Sequence, residues 1–409
     1  MRILYLSQYF FPEVGATQNR AYEMAQNWVR LGHHVTMIAE VPNHPSGIIP
    51  SAYRGRLYQK DRLDGIEVIR VWVKAHPVKN FRNRILFYLS YMLNATLAGV
   101  FLAHGHFDLI YASSPPLFVG GSALVLSKQK HIPLVFEVRD LWPESAIALG
   151  ELSNRRAIAW STRLEETCYR RAKKIVVVTR GIHQRLLERN LPEDKIIFIP
   201  NGANVELFTY NVASRETLRA ELGLNGKFIA LYAGNHGLAY SLETVIEAAR
   251  LLQSVPDIHF VLVGEGPKKA ELVALVRKYH LSNLTMLPEQ PFHAIPAYFS
   301  AADVILIPLR DIELMKGALP VKMFDAWACC KPILLSVDGE AHQIMEAAHG
   351  GIFIPPEDPE AMAAALRALN VSPKECERMG QNGRAYTFQH FSRRTLAEQL
   401  AKELERLVP

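Results

Sequence analysis

The chain has 409 residues, 49% apolar and 21% charged, with a formal charge of +6 and 4 cysteines. It is too long for one ordinary domain and too apolar for a disordered chain. Its cysteines, at 168, 329, 330 and 376, lack the C-x-x-C spacing of a zinc site and the density of a disulfide scaffold, so they read as thiols of a reducing compartment.

Charge is unevenly spread, with +10 over residues 1–200 and −4 over residues 201–409. A basic first half calls for a partner of negative sign: nucleic acid, an anionic membrane or a phosphorylated substrate. The start, MRILYLS, lacks the apolar core and cleavage site of a secretory signal, so a cytoplasmic protein is expected.

In chain order, the apolar run Arg2–Ser7 predicts a buried first strand. Spacings of three and four among Ala21, Met24, Ala25 and Trp28 predict a helix that Gly32 ends, and His34–Ala39 predicts a second strand. Strand, helix and strand in so short a stretch make a βαβ unit of a parallel sheet. Further strands are expected at Ile66–Val73, Leu109–Ala112, Leu134–Glu137, Ile175–Thr179 and Ile196–Ile199. Rhythm and charge change across Pro200–Asn225, which sets a domain boundary there. Beyond it, strands are expected at Phe228–Ala233, His259–Val263, Leu284–Leu287, Val304–Pro308, Ile333–Ser336 and Gly351–Ile354. Helices are expected at Leu242–Leu252, Pro267–Tyr279 and Glu398–Leu407. Two consecutive sheets of this kind would face a cleft, and ligands of such sheets bind beyond the carboxyl ends of the strands.

The loops after strands are therefore where chemistry is sought. Gly15, before the first helix, reads either as a turn glycine or as a place where backbone N–H groups approach a phosphate at a helix start. Gly234, Asn235 and Gly237 repeat that pattern after the first strand of the second half, and Gly264 and Gly266 repeat it after the next. Lys268 and Lys269 follow, either reaching an anion or lying solvated in a first turn. Neither G-x-G-x-x-G nor a P-loop occurs, which speaks against a nicotinamide cofactor and against an NTPase.

A Pro-started helix is expected from about Pro320, ending before Lys331. Lys322 stands in its first turn, against the helix dipole, and a bound phosphate would offset that. Asp325, three residues on along the same face, can accept both hydroxyls of a ribose; the plainer alternative is a surface Lys–Asp pair.

The ordered set FPEVGA (11–16), LGHHV (31–35), IPNGAN (199–204), YAGN (232–235), VGEG (263–266), ADVILIP (302–308) and residues 319–332 resembles the large retaining glycosyltransferase family 4 over nearly the whole chain. The segment FEVRDLWPES (136–145) resembles its WbuB-like branch of polysaccharide-building transferases. The resemblance implies an α/β chain of the GT-B fold, with two Rossmann-like domains whose parallel sheets face an interdomain cleft. Residues 1–200 would be the acceptor- and membrane-facing domain, residues 201–389 the nucleotide-sugar-binding domain, and the terminal helix 390–409 would pack back on the first.

The resemblance also assigns roles. Gly15 would sit at the donor phosphate or sugar, and Asp325 matches the second acid of the family's E-x7-E motif, which holds the ribose. The first acid of that motif falls on Gly317, with Glu313 as a candidate substitute. The family's phosphate-binding Arg and Lys are absent, with Asn235 and Tyr240 near their places, so Lys322 is the candidate for the lost positive charge. Asp140 is the expected acceptor-side catalytic residue and Glu137 the runner-up, although an Arg139–Asp140 ion pair is an equal alternative. No D-x-D metal motif occurs and no cofactor is expected, so helix starts and Lys322 would stabilise the leaving diphosphate.

The expected activity is metal-independent transfer of a hexose, N-acetylated or deoxy, from a UDP-sugar to a polyprenyl-diphosphate-linked saccharide, with retention, in O-antigen or capsule synthesis. A nucleotide-sugar epimerase of the same architecture and a non-catalytic membrane-bound scaffold are the alternatives.

Ile85–Ala103 holds 19 uncharged residues behind Lys79, Arg82 and Arg84. A strand follows at once, so a membrane span would split the domain. A core helix and a helix dipping into one leaflet both fit. The basic flank and the rings of Phe81, Phe87, Tyr88 and Tyr91 favour dipping. Peripheral attachment to the anionic inner face of the cell membrane is expected, through Arg82, Arg84, Phe87 and Tyr88. The arginine-rich stretch from Arg155 to Lys174 reads as a solvated helix, and no nucleic-acid partner is expected.

Overall fold

The computed structural model describes residues 1–13, 15–44, 46–78, 80–148, 150 and 152–408, with the backbone alone at 314. The chain divides into two units, Met1–Pro200 with Arg394–Pro409, and Asn201–Arg393.

The first unit is built on β1 (Arg2–Leu6), β2 (His34–Glu40), β3 (Tyr58–Leu63), β4 (Ile66–Val71), β5 (Leu109–Ser114), β6 (Leu134–Val138), β7 (Lys174–Val177) and β8 (Ile196–Phe198). They form one sheet in the order β3-β4-β2-β1-β5-β6-β7-β8, parallel except for β3 against β4. Strand alternation builds two cores: Leu4, Leu6 and Ile38 face one layer, and Ile3, Tyr5 and Met37 the other. The helix Ala16–Arg30 covers the second layer with Ala21, Met24, Ala25 and Trp28. The last helix, Arg393–Glu405, adds Leu396, Ala397, Leu400, Ala401 and Leu404 to that layer, and the Trp28 indole N–H donates to the Ala397 carbonyl at 3.2 Å. The helices Phe81–Phe101 and Val119–Lys130 cover the first layer through Tyr91, Ala95, Ala98, Ala123 and Leu126.

The second unit carries β9 (Phe228–Ala233), β10 (Ile258–Val263), β11 (Leu284–Leu287), β12 (Val304–Pro308), β13 (Ile333–Ser336) and β14 (Gly351–Phe353). All pairs are parallel, in the order β11-β10-β9-β12-β13-β14. One face buries Leu231, Val261 and Ile305 beneath the helix Val321–Ala328, and the other buries Tyr232, Phe260 and Leu306 beneath Leu242–Leu251 and Pro359–Asn370. The order reverses between β9 and β12, the kind of position where ligands of open parallel sheets bind. The loops leaving the two strands are tied together, with Arg310 N–H donating to the Ala239 carbonyl at 3.1 Å and Ser241 N–H to the Pro308 carbonyl at 3.2 Å.

The expected strands recur within two residues of their limits, and two larger differences stand beside them. β3 was not foreseen, because YQKDRL lies at a sheet edge with alternate residues exposed and no apolar run to mark it. The last helix begins at Arg393 rather than Glu398. A tertiary contact fixes its start: the Arg393 N–H donates to the Ala203 carbonyl at 3.0 Å, and the Ala203 N–H to the Phe391 carbonyl at 2.9 Å.

Candidate functional site

In the second unit, the loops that leave β9 and β10 lie against each other. Gly234 N–H donates to the Val263 carbonyl at 2.9 Å, and His236 N–H to the Glu265 carbonyl at 2.8 Å. Gly264 has φ 144°, and a Cβ there would stand 1.9 Å from the Gly234 carbonyl oxygen. A Cβ on Gly266 would meet the Asn235 side-chain oxygen at 2.4 Å. These two glycines are thus required by the approach of loop on loop, a different reason from the phosphate contact expected of them. Gly237 abuts the Asn235 amide in the same way, at 2.9 Å. Lys269 is not solvated: its ammonium donates to the carbonyls of Gly264 and Leu287, both at 2.7 Å, and so pins the second loop. Lys268 is taken up by Glu243 and Glu271.

The helix Val321–Ala328 delivers Lys322 to this loop pair. Its Nζ lies 4.0 Å from the ring centroid of Tyr232 and 4.2 Å from that of Tyr240. Nζ is buried and has no hydrogen-bond partner among the described residues. A side chain on Gly234 would bring its Cβ within 2.9 Å of Nζ, so the amine sits directly under the β9 loop. Burial pushes the Lys322 ammonium down to about 7, and Asp325 offsets only part of that. Asp325, one turn on, is itself buried. In place of a surface Lys–Asp pair stands an enclosed amine between two tyrosine rings.

His236 belongs to the same cluster and went unnoticed in the sequence, where it is one histidine among 15. Its side chain has no exposed surface, and neither ring nitrogen has a hydrogen-bond partner among the described residues. Burial, then the charges of Lys269 and Lys322, push it down to about 4, so the ring is neutral at neutral pH. The only sequence signal was its place in the glycine-bracketed loop. Gly317 ends the short helix Glu313–Lys316, and the Glu313 carboxylate is exposed and paired with Lys316 at 2.8 Å.

In the first unit, Gly15 precedes the helix Ala16–Arg30 in an extended conformation, with the Gln18 side chain where its Cβ would be. Glu137 lies inside β6 with no exposed surface. Arg20 donates to it at 2.9 Å, the Tyr111 hydroxyl at 2.8 Å and the Ser113 hydroxyl at 2.5 Å, and Arg139 stands 3.7 Å away. Burial alone would raise its pKa, but Arg20 and Arg139 outweigh burial and hold it below the usual carboxylate range. A carboxylate so enclosed and fully partnered anchors the sheet, which removes Glu137 as an acceptor-side base. Arg139 turns to Glu137 and to the Pro115 carbonyl, while half-buried Asp140 accepts from the Ser145 hydroxyl at 2.8 Å.

The helix Phe81–Phe101 is long and apolar enough to cross a membrane, yet one face is sealed onto the sheet, where the Tyr91 hydroxyl donates to the Ile38 carbonyl at 2.8 Å. Phe87 packs against Tyr9 and Tyr88, and Tyr88 stacks on Phe118, so these two rings are half-buried and present only part of their surface for the lipid contact expected of them. The exposed apolar face is Leu89, Leu93, Leu97 and Phe101, each one helical turn after the last. Leu93 is 60% and Phe101 65% exposed. Arg82 is exposed and Arg84 half-buried; Lys79 lies outside the described residues.

Comparison with known proteins bears on the family and the fold. Residues 15–202 match the family described as glycosyl transferase 4-like domain, and residues 214–386 that described as glycosyl transferases group 1. The chain is 25% identical over 385 residues to the putative colanic acid biosynthesis glycosyl transferase WcaI of Escherichia coli, covering 91% of this chain and 93% of that one. Sucrose-phosphate synthase of Thermosynechococcus elongatus superposes with a TM-score of 0.75 at 19% identity, over 99% of this chain and 98% of that one. HepE of Anabaena, solved with UDP and glucose, superposes with a TM-score of 0.73 at 17% identity, over 99% of both chains. With both halves matched in order and two parallel-sheet units of the expected topology, the chain belongs to glycosyltransferase family 4 and has the GT-B fold.

Proposed function

We propose that this glycosyltransferase moves an N-acetylated or deoxy hexose from a UDP-sugar to a polyprenyl-diphosphate-linked saccharide during surface-polysaccharide synthesis, with retention of configuration and without a metal. The observation that carries the reading is Lys322: a lysine enclosed at the carboxyl ends of parallel strands, beside a glycine loop and with no acceptor for its amine. Such an amine is suited to the charge that develops on a leaving diphosphate, because a preorganised cation away from water costs no reorganisation as the sugar bond breaks. Asp325, on the same helix, would hold the ribose, and the loops with Gly234, Asn235 and Gly237 would line the diphosphate. Gly15 would sit at the donor phosphate or sugar, and Asp140 would belong to the acceptor side of the reaction. The colanic acid role in WcaI's name supports a polysaccharide product, and the UDP complexes of HepE support the nucleotide.

Attachment to the inner face of the cell membrane is part of the proposal. The basic first half, with Arg82 and Arg84, would meet anionic headgroups, and the leucine face of Phe81–Phe101 would enter the leaflet.

The test is release of free UDP from a panel of UDP-sugars, with and without a polyprenyl-diphosphate-linked acceptor. Release that depends on the acceptor is expected. Conversion of the sugar without acceptor would instead identify an epimerase, and no turnover with any donor and acceptor would leave a binding scaffold.

A further inference from the structure

We propose that arrival of the nucleoside diphosphate draws a proton from solution onto the Lys322 amine, so that donor binding and protonation of this lysine are one event. The proposal rests on the donor-pocket reading above and adds how that pocket is charged.

Geometry carries it. An ammonium has three N–H donors, and Lys322 Nζ finds no acceptor for any of them. Its neighbours are two ring faces, Tyr232 from β9 and Tyr240 from the loop ahead of Leu242–Leu251. A ring face attracts a cation but does not replace the acceptors of water. The charged and titratable groups that face the amine are few. Asp325, on its own helix, is the one group that favours the charged form. His236, in the β9 loop, is neutral at neutral pH, and Lys269, beyond it, is committed to the carbonyls of Gly264 and Leu287. Burial holds the free amine at about 7.

The β9 loop passes directly over Nζ at Gly234. An anion seated on that loop gives the amine the acceptors and the opposite charge it lacks, and both favour the protonated form. The sign follows. Below pH 7 the lysine is already charged in the free protein, and UDP binding takes up little. At pH 8 most free protein holds the neutral amine, and binding takes up nearly one proton. The lysine's share of the affinity then falls as pH rises through 7, steepening to about tenfold per unit well above it. UDP adds nothing to this at pH 8, since a terminal phosphate with a second pKa of about 6 is already ionised.

The experiment is calorimetric titration of the full chain with UDP at pH 8, in Hepes and in Tris, whose ionisation enthalpies differ. The expected result is a binding enthalpy that changes with buffer by the amount for close to one proton per UDP, and a Kd that weakens between pH 7 and pH 8.5. Lys322→Met should bind UDP more weakly with no buffer dependence, and Lys322→Arg, always charged, should also show none. A buffer-independent enthalpy with a flat Kd overturns the proton linkage while leaving the donor pocket intact. Full proton uptake in Lys322→Met also overturns it, because another group would then be the acceptor. Absence of UDP binding at every pH removes the donor-pocket reading itself, and this inference with it.

Discussion

Asp325 and Glu137 are both buried carboxylates, yet their surroundings give them opposite work. Asp325 stands on the helix that carries Lys322, with glycine loops nearby. Asp325→Ala is expected to weaken UDP binding by roughly tenfold to a hundredfold, the cost of about 1.5–3 kcal/mol for a lost charge-assisted hydrogen bond. A variant that binds UDP like the parent would end the ribose assignment. Glu137 is enclosed by Arg20, Arg139, Tyr111 and Ser113. Its pKa is lower in the folded chain than in the unfolded one, so its contribution is present above the unfolded value and is lost as pH falls through the folded one. Glu137→Gln leaves two arginines without their counter-charge, which should cost about 3–5 kcal/mol in urea unfolding at pH 7. The difference between variant and parent should narrow in acid, below the ordinary glutamate value of about 4.3. A gap that stays constant with pH would show that Glu137 is not the charged partner.

At the scale of elements, the helix Phe81–Phe101 has one side committed and one side free. Tyr91, Ala95 and Ala98 are packed on the sheet, and Leu89, Leu93, Leu97 and Phe101 are exposed in a single row. Inserted leucines add an attraction that salt does not screen, whereas Arg82 and Arg84 add one that salt does. Leu93→Ser with Leu97→Ser should therefore abolish the salt-resistant part of binding to anionic vesicles in a flotation assay. Arg82→Glu should weaken only the part lost at high salt. If the leucine variant floats like the parent at high salt, this face is not the lipid contact.

At the scale of the whole molecule, the first unit is discontinuous, because the chain leaves it at Pro200 and returns at Arg394. Leu396, Leu400 and Leu404 are buried in the same layer as Trp28 and Met24. Burial of one leucine contributes roughly 1.5–3 kcal/mol, so three together rival the ~5–15 kcal/mol by which a whole domain is stable. A chain ending at Arg393 should unfold at a markedly lower temperature, with Trp28 fluorescence moving to the red as its layer opens to water. An unchanged Tm would mean that the first unit does not depend on the returning helix.

The sequence by itself determined the parallel-sheet architecture, since buried parallel strands are short apolar runs and glycines and prolines punctuate them. Phe228–Ala233, Leu284–Leu287, Val304–Pro308 and Ile333–Ser336 have the limits their apolar runs imply. Lys322 was legible because Pro320 marks a helix start and a lysine there opposes the dipole. Only the tertiary structure decided which side is buried in an element that lacks the apolar spacing shown by Ala21, Met24, Ala25 and Trp28. The helix Phe81–Phe101 is apolar nearly all round, so nothing local tells Phe87 and Tyr88, half-buried among other rings, from Leu93 and Phe101, which are exposed. Glu137 became an anchor because Arg20, far off in sequence, reaches it from another element. His236 acquired its enclosure from the loop after β10, and Lys322 its two tyrosine walls from β9 and the loop beyond. Burial and charge pairing are properties of residues distant in the chain, and local pattern carries no record of them.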